Sequence, residues 1–213
     1  MLFRSPDAQA GLDTVSFDNV AAGRLAVEYL AGLGHERIGY IGSCREPANI
    51  DATARQSGYL EALSKLGLKS QPEWIFDRTQ ITSPIAKDDA VCQLEGHYAA
   101  RHLLKLGPSG PTAWIAYSDL VAVHLMRQLS ESGVRVPGDV SVVGVDDSEW
   151  ARFMTPTLTS VRHPLEEMGR QAASVLIERS EASDSSAGKP QHVVFPPEMV
   201  IRESTAAPPQ TSR

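Results

Sequence analysis

Polar residues recur in this sequence directly after short apolar runs. Ser43 follows the run 38–42, with Asn49 and Asp51 close behind. Asp77 and Arg78 follow 74–76, Ser118 and Asp119 follow 112–117, and Asp146 and Asp147 follow 140–145. Arg55 lies early in the helical pattern that begins near Asp51. The set supplies carboxylate acceptors, hydroxyls and one or two fixed cations. A carboxylate accepts from two neighbouring hydroxyls, and a guanidinium fork donates to one or two oxygens. That is the chemistry of recognising a polyhydroxylated small molecule. Trp150, just after the Asp pair, offers an indole face on which a sugar ring could stack.

Each of these residues also has a plainer use. Asp119 reads first as a helix cap and only second as a ligand contact. Asp147 reads as a turn residue bonding to backbone, Arg55 as a surface residue of an amphipathic helix, and Trp150 as packing. Asp146 differs because it ends the most apolar run of the chain, where a charge needs a partner. Catalytic signatures are missing: there is no G-x-S-x-G elbow, no P-loop and no G-x-G-x-x-G. His35, His97, His102, His124, His163 and His192 form no convincing ligand pairs on a helix face. Asp146-Asp147 could take a hard cation, but adjacent carboxylates are common at turns. The expectation is a binding protein with no metal, no cofactor and no catalytic residue.

Those positions acquire meaning if the apolar runs are parallel strands, because ligands gather at the carboxyl ends of such strands. The pattern supports this. A β-prone run at 14–17 precedes a helix with Ala22, Leu25, Ala26, Tyr29, Leu30 and Leu33 at helical spacing, and Asp18 is placed to cap it. Gly34 suits the turn after that helix, and 38–42 reads as a buried strand. Strand, helix and strand in so short a span make a βαβ unit. Further helices are expected over 51–66, 94–106, 119–132 and 165–179, and further strands over 74–76, 112–117, 140–145, 158–161, 192–195 and 199–202. Segment 81–89 reads as an exposed loop, 181–190 as a linker, and 203–213 as a disordered tail.

Composition narrows the class. The chain has 213 residues, 42% hydrophobic and 22% charged, with a net charge of −6. A negative chain without basic runs has no general attraction for nucleic-acid phosphates. The two cysteines, Cys44 and Cys92, are far apart and read as free thiols of a reducing compartment. The first residues hold no signal-peptide core, and no stretch is long enough to span a bilayer, so the expected location is cytoplasmic.

The order of the motifs resembles the LacI–GalR family of transcriptional regulators. Asp18-Asn19-Val20-Ala21-Ala22-Gly23 and Leu33-Gly34-His35-Glu36-Arg37-Ile38 are similar to the family's first helix and the turn after it. Arg55-Gln56-Ser57-Gly58-Tyr59 with Ala62-Leu63 resembles its R-x-x-G-Y…A-L segment. Pro111-Thr112-Ala113, Ser118-Asp119, the run from Ser132 to Gly144, Asp146-Asp147, Pro156 to Val161, Met168-Gly169 and Arg202-Glu203-Ser204-Thr205 follow in family order.

The resemblance implies an α/β fold of the periplasmic binding protein-like type I: two lobes, each a doubly wound parallel sheet, closing on a small effector. It implies that Arg55 and Asp146 are the main polar contacts, with Ser118 and the loop around Asn49 contributing. Ser118 stands where many members carry Asn. It implies a homodimer with Val123 and Phe153 on the contact face. By the family plan, 1–34 and 157–188 form the N-terminal lobe, 35–156 and 189–205 the C-terminal lobe, and 206–213 a tail. The N-terminal lobe is then incomplete, and the helix-turn-helix head that reads DNA is missing from this sequence. The expected effector is a sugar or sugar derivative, with a nucleobase or nucleoside second. A sugar-binding protein of a transport system is the alternative, and a metal-assisted enzyme built on Asp146-Asp147 ranks third.

Overall fold

A computed structural model describes residues 12–43, 49–77, 91–181 and 189–209. The elements are β1 (Thr14–Phe17), α1 (Asn19–Gly32), β2 (Ile38–Ile41), α2 (Ile50–Lys65), β3 (Ile75–Phe76), α3 (Val91–Leu106), β4 (Ala113–Ala116), α4 (Asp119–Glu131), β5 (Ser141–Asp146), α5 (Glu149–Phe153), β6 (Thr159–Arg162), α6 (Leu165–Glu181), β7 (His192–Phe195) and β8 (Glu198–Val200). The expected α/β class with parallel sheets is what the chain adopts. The short α5 was not among the helices expected from the sequence.

The chain divides into two compact units, Met1–Asp18 with His163–Pro197, and Asn19–Arg162 with Glu198–Arg213. The larger unit is built on a six-stranded sheet of order β3-β2-β4-β5-β6-β8. Every neighbouring pair is parallel except β6 with β8. β2 and β4 are buried along their whole length, and β5 up to Val145. Such runs are the mark of parallel strands covered on both faces. Gly39 in β2 lacks a side chain because the Trp114 ring of β4 fills that space; a Cβ would sit 2.6 Å from it.

The smaller unit contains β1, α6 and β7. β1 and β7 pair in parallel, Thr14 against His192 through Phe17 against Phe195. Asp13 fastens the strand ends: its Oδ1 accepts from the Gln191 amide at 2.8 Å, and Arg179 of α6 donates to both its oxygens at 2.8 and 2.9 Å. That guanidinium, with the Gln191 amide, holds the Asp13 carboxyl below its ordinary range.

The compact units divide the chain differently from the expected lobes: α1 and β6 lie in the larger unit, and β7 pairs with β1. β6 lies inside the six-stranded sheet, between β5 and β8. The face that α1 buries is Ala22, Gly23, Ala26, Val27 and Leu30, whereas Leu25, Tyr29 and Leu33 are only partly covered. The small residues let α2 lie close against it, a packing that counting large side chains missed.

The tail corrects the expectation of disorder over 203–209. Residues 203–209 are placed, and Ser204 is fully buried. Its hydroxyl donates to the Val142 carbonyl at 2.6 Å and accepts from the Thr159 amide at 2.8 Å. The carbonyl of Ala206 accepts from Ser141 Oγ at 3.2 Å and pairs with His35 Nε2 at 2.9 Å. Backbone groups of β5 and β6 that would otherwise be orphaned are satisfied by this segment. Residues 210–213 lie outside the described residues.

Candidate functional site

α2 starts at the sheet edge where the strands end. Asn49 caps it: its Oδ1 accepts from the amides of Asp51 and Ala52 at 3.1 and 3.3 Å. One turn further on, Arg55 is 5% exposed, so it is no surface residue. Burying a guanidinium requires acceptors, and three groups supply them. Its Nε donates to Asn19 Oδ1 at 2.7 Å. Its Nη1 donates to the Tyr117 carbonyl at the end of β4. Its Nη2 lies 3.8 Å from Asp146 Oδ1.

This approach of α2 to α1 depends on two glycines. A Cβ on Gly58 would stand 1.9 Å from the Val20 carbonyl oxygen, and one on Gly23 would stand 1.9 Å from that of Arg55. The backbones therefore cross in contact, bringing Asn19 at the start of α1 to the guanidinium. Asn19 in turn donates from Nδ2 to Asp51 Oδ1 at 3.2 Å.

Asp146 and Asp147 take φ values of +130° and +52°. A non-glycine residue in this region costs about 1–3 kcal/mol and persists only where its surroundings impose it. Here several contacts do so. The Asp147 amide donates to Ser160 Oγ at 3.0 Å, and the Asp147 carboxylate accepts from Arg202 at 2.5 Å and faces Arg152 at 3.5 Å. The turn thus carries the Asp146 carboxylate, one-third exposed, toward Arg55, and turns Asp147 into the interior.

Asp119 is the hub beneath this turn. It is not the helix cap that its position suggested; Ser118 caps α4 through Val121, and Asp119 is 1% exposed. Its Oδ2 accepts from the amide and hydroxyl of Ser148 at 2.7 and 2.9 Å, and its Oδ1 accepts from Ser160 Oγ at 2.6 Å. Burial pushes this carboxyl above its ordinary range, the hydrogen bonds from Ser160 and Ser148 pull it back, and the Asp146 charge adds to the rise. A raised carboxyl contributes stability that is complete below its unfolded pKa and is lost as pH rises through the folded one. Asp119→Asn places an amide among donors and leaves at least one of them unsatisfied, at about 1–3 kcal/mol. In urea melts between acidic and neutral pH, the deficit of this variant should be largest at the acid end and shrink as pH rises. A deficit constant with pH would exclude a raised Asp119.

The sequence-predicted site residues divide accordingly. Arg55 and Asp146 are brought together. Asn49 and Ser118 stand at the same strand-end edge as helix caps. Trp150, on α5, is 62% exposed, and so does not have the packing role considered for it. Val123 is partly exposed on α4, and Phe153 of α5 is 81% exposed. Asp147 proves to be a buried ion-pair partner of Arg202. Asn19 and the Tyr117 carbonyl were missed; Gly23, four positions after Asn19, and Gly58, three after Arg55, were the available signal for a close helix crossing. Cys44, Arg78 and the loop 81–89 lie outside the described residues. Among the described residues no group of three or more His, Cys, Asp or Glu could hold a metal ion, and no helix is long and apolar enough to cross a membrane. The edge presents a fixed cation beside a carboxylate, with hydroxyl and amide groups near the same strand ends.

Residues 27–205 match the family described as periplasmic binding protein-like domain. Over 193 residues the chain is 31% identical to the HTH-type transcriptional repressor PurR of Haemophilus influenzae (strain PittEE), covering 91% of this chain and 52% of that protein. It therefore spans about half the length of the curated relatives it matches. Among solved structures it is similar to the transcriptional regulator CelR in complex with cellobiose, with a TM-score of 0.77 and 32% identity over 95% of this chain and 57% of that one. A LacI family transcriptional regulator from Mycobacterium smegmatis gives a TM-score of 0.76 at 30% identity, covering 97% of this chain and 69% of that one.

Proposed function

We propose, since this chain belongs to the LacI family and carries its periplasmic binding protein-like domain, that it is the effector-sensing part of a bacterial transcriptional repressor. The effector is a neutral, hydroxyl-rich small molecule held at the strand-end edge of the six-stranded sheet. The observation that carries this reading is Arg55, buried and held by Asn19 and the Tyr117 carbonyl beside the Asp146 carboxylate. Cation and carboxylate balance one another, which favours a ligand offering both acceptors and donors over one with a net charge. Arg55 donates to a ring or hydroxyl oxygen, and Asp146 accepts from one or two hydroxyls. Capping uses the acceptors of Asn49 and Ser118, so these residues would meet the ligand as donors. Trp150 supplies an apolar face for a sugar ring. The similarity to a regulator bound to cellobiose supports a sugar over a nucleoside. No catalytic step is assigned to these residues.

Titration calorimetry with cellobiose, D-ribose and adenosine tests the reading. A sugar should bind with heat and raise the melting temperature without being consumed. Binding of adenosine alone would replace the sugar by a nucleoside, and turnover of any probe would sink the sensing role. A chain with net charge −6 is poorly suited to dock on phosphates, so operator contact is assigned to a head domain outside these residues.

The same reading includes a symmetric dimer through the larger unit. Phe153 on α5 and Leu120 on α4 are exposed apolar side chains, and Val123 of α4 is partly exposed. Large exposed aromatic groups of this kind mark contact surfaces. Sedimentation at tens of micromolar should give a dimer that Val123→Asp with Phe153→Asp converts to a folded monomer. A wild-type monomer, or a dimer surviving both changes, would remove this interface.

A further inference from the structure

We infer that Asn19, backed by Asp51, is the positioning residue that sets the plane of the Arg55 guanidinium; this rests on the reading of Arg55 as the effector-binding cation. The chemistry of the neighbours dictates the arrangement. A carboxylate can only accept and a guanidinium can only donate. Asn19 stands between one of each: its Nδ2 donates to Asp51 Oδ1 at 3.2 Å, and its Oδ1 accepts from Arg55 Nε at 2.7 Å. The carboxamide is a neutral side chain able to satisfy both at once, and the two contacts fix which way it is turned.

The consequence for Arg55 is directional. Its Nε is held by Asn19 and its Nη1 by the Tyr117 carbonyl, while Nη2 is the nitrogen on the side of Asp146. A planar fork fixed at two of its nitrogens has no freedom to rotate about its last bonds, so a defined edge is turned toward Asp146 and the ligand. Asp51 belongs to the first turn of α2, whose start is fixed by Asn49, so the relay is anchored on the same helix that carries Arg55. Asn19 belongs to the other helix of the glycine crossing, and the crossing is what brings the relay into register.

The relay predicts a specific pattern of suppression. Asn19→Ala removes the acceptor. Asn19→Asp sets a carboxylate against Asp51, and repulsion turns it away. Asp51→Asn alone is close to neutral, because an amide oxygen still accepts from Asn19. In the Asn19→Asp/Asp51→Asn double variant the new amide donates to the new carboxylate, which accepts from Arg55, so the relay is rebuilt with reversed polarity and unchanged net charge.

Two measurements on the full chain read this out, with thermal melts to show that each variant is folded. The first is hydrogen exchange at Arg55 Nε by NMR, the signal being identified by its disappearance in Arg55→Lys. The second is affinity for cellobiose and for D-ribose. Asn19→Ala and Asn19→Asp should each accelerate exchange and weaken sugar binding by about tenfold, as expected when a charge-assisted hydrogen bond is lost. The double variant should return both readouts to within about threefold of wild type, a non-additivity that distant, independent sites do not show. Unchanged exchange in Asn19→Ala, or a double variant no better than Asn19→Asp, overturns the positioning role. If wild type binds neither sugar while the exchange pattern holds, the positioning pair stands and the sugar reading falls.

Discussion

Gly58→Ala should destabilise the protein by at least about 3 kcal/mol, although the same change in an ordinary helix interior stabilises by about 1 kcal/mol. The new Cβ would meet the Val20 carbonyl oxygen at 1.9 Å, its carbon at 2.8 Å and the Arg24 amide nitrogen at 3.1 Å. All three are backbone atoms of α1, so no side-chain rotation relieves the clash and the two helices must separate. Gly32→Ala is the matched control, since nothing lies within 4 Å of a Cβ there. Urea unfolding should give opposite signs for the two variants. Equal, small effects would show that α1 and α2 do not cross in backbone contact. Because Asn19 and Arg55 meet across this crossing, Gly58→Ala should also weaken effector binding in whatever fraction remains folded.

Arg55→Ala is the second large effect. For a surface arginine on an amphipathic helix, the reading the sequence supports, the change would be felt only in binding. The buried guanidinium changes that expectation. Its removal takes a donor from the Tyr117 carbonyl and from Asn19 Oδ1, and a nearby cation from Asp146. Breaking a buried charged contact by removing one partner costs about 3–5 kcal/mol, a range we discount to about 2–4 kcal/mol because the Asp146 side chain is 33% exposed. Denaturant melts should show this loss, and calorimetry should show sugar affinity falling by more than about 1.5 kcal/mol. Arg55→Ala with full stability would mean that the guanidinium is solvated rather than held. Full stability together with full affinity would remove Arg55 from the site.

Much of the architecture was legible because parallel strands buried on both faces leave apolar runs, and Ile38 to Ile41 and Val142 to Val145 are such runs. The placing of Arg55 and Asp146 at one edge was legible, since both sit at the ends of elements that must converge there; that they stand as a pair was not. What the pattern could not convey was the use of small residues. Gly23 and Gly58 carry no hydrophobic signal, yet they are what lets α1 and α2 cross in backbone contact. Polar strand residues carry no such signal either: Thr159 and Ser160 are fully buried with hydrogen-bond partners of their own. The tail 203–209 looked disordered because its role is to satisfy backbone groups of β5 and β6, a task with no hydrophobic signature. Asp119 reads as a helix cap and Asp147 as a turn residue because their buried partners, Ser148 and Ser160 for the first and Arg202 for the second, lie far away along the chain.

The pairing of β1 with β7 bears on how the chain is made. Thr14 meets a residue 178 positions later, and all of Asn19–Arg162 lies between the two halves of the smaller unit. Closing so long a loop is slow, and its entropy cost grows with the logarithm of its length. During translation the β1 segment emerges well before β7 exists, and in the interval its backbone amides and carbonyls have no partner from β7. An unpaired edge of this kind can pair with another chain. The parallel strands of the larger unit, which follow one another from Ile38 to Arg162, can associate while β7 is still being synthesised, before β8 and the segment 203–209 complete that unit. Its assembly brings Asn19 and Arg162 into one folded body and so shortens the loop that the smaller unit must close. Yield on expression should then depend on how quickly the larger unit folds, even for changes confined to it.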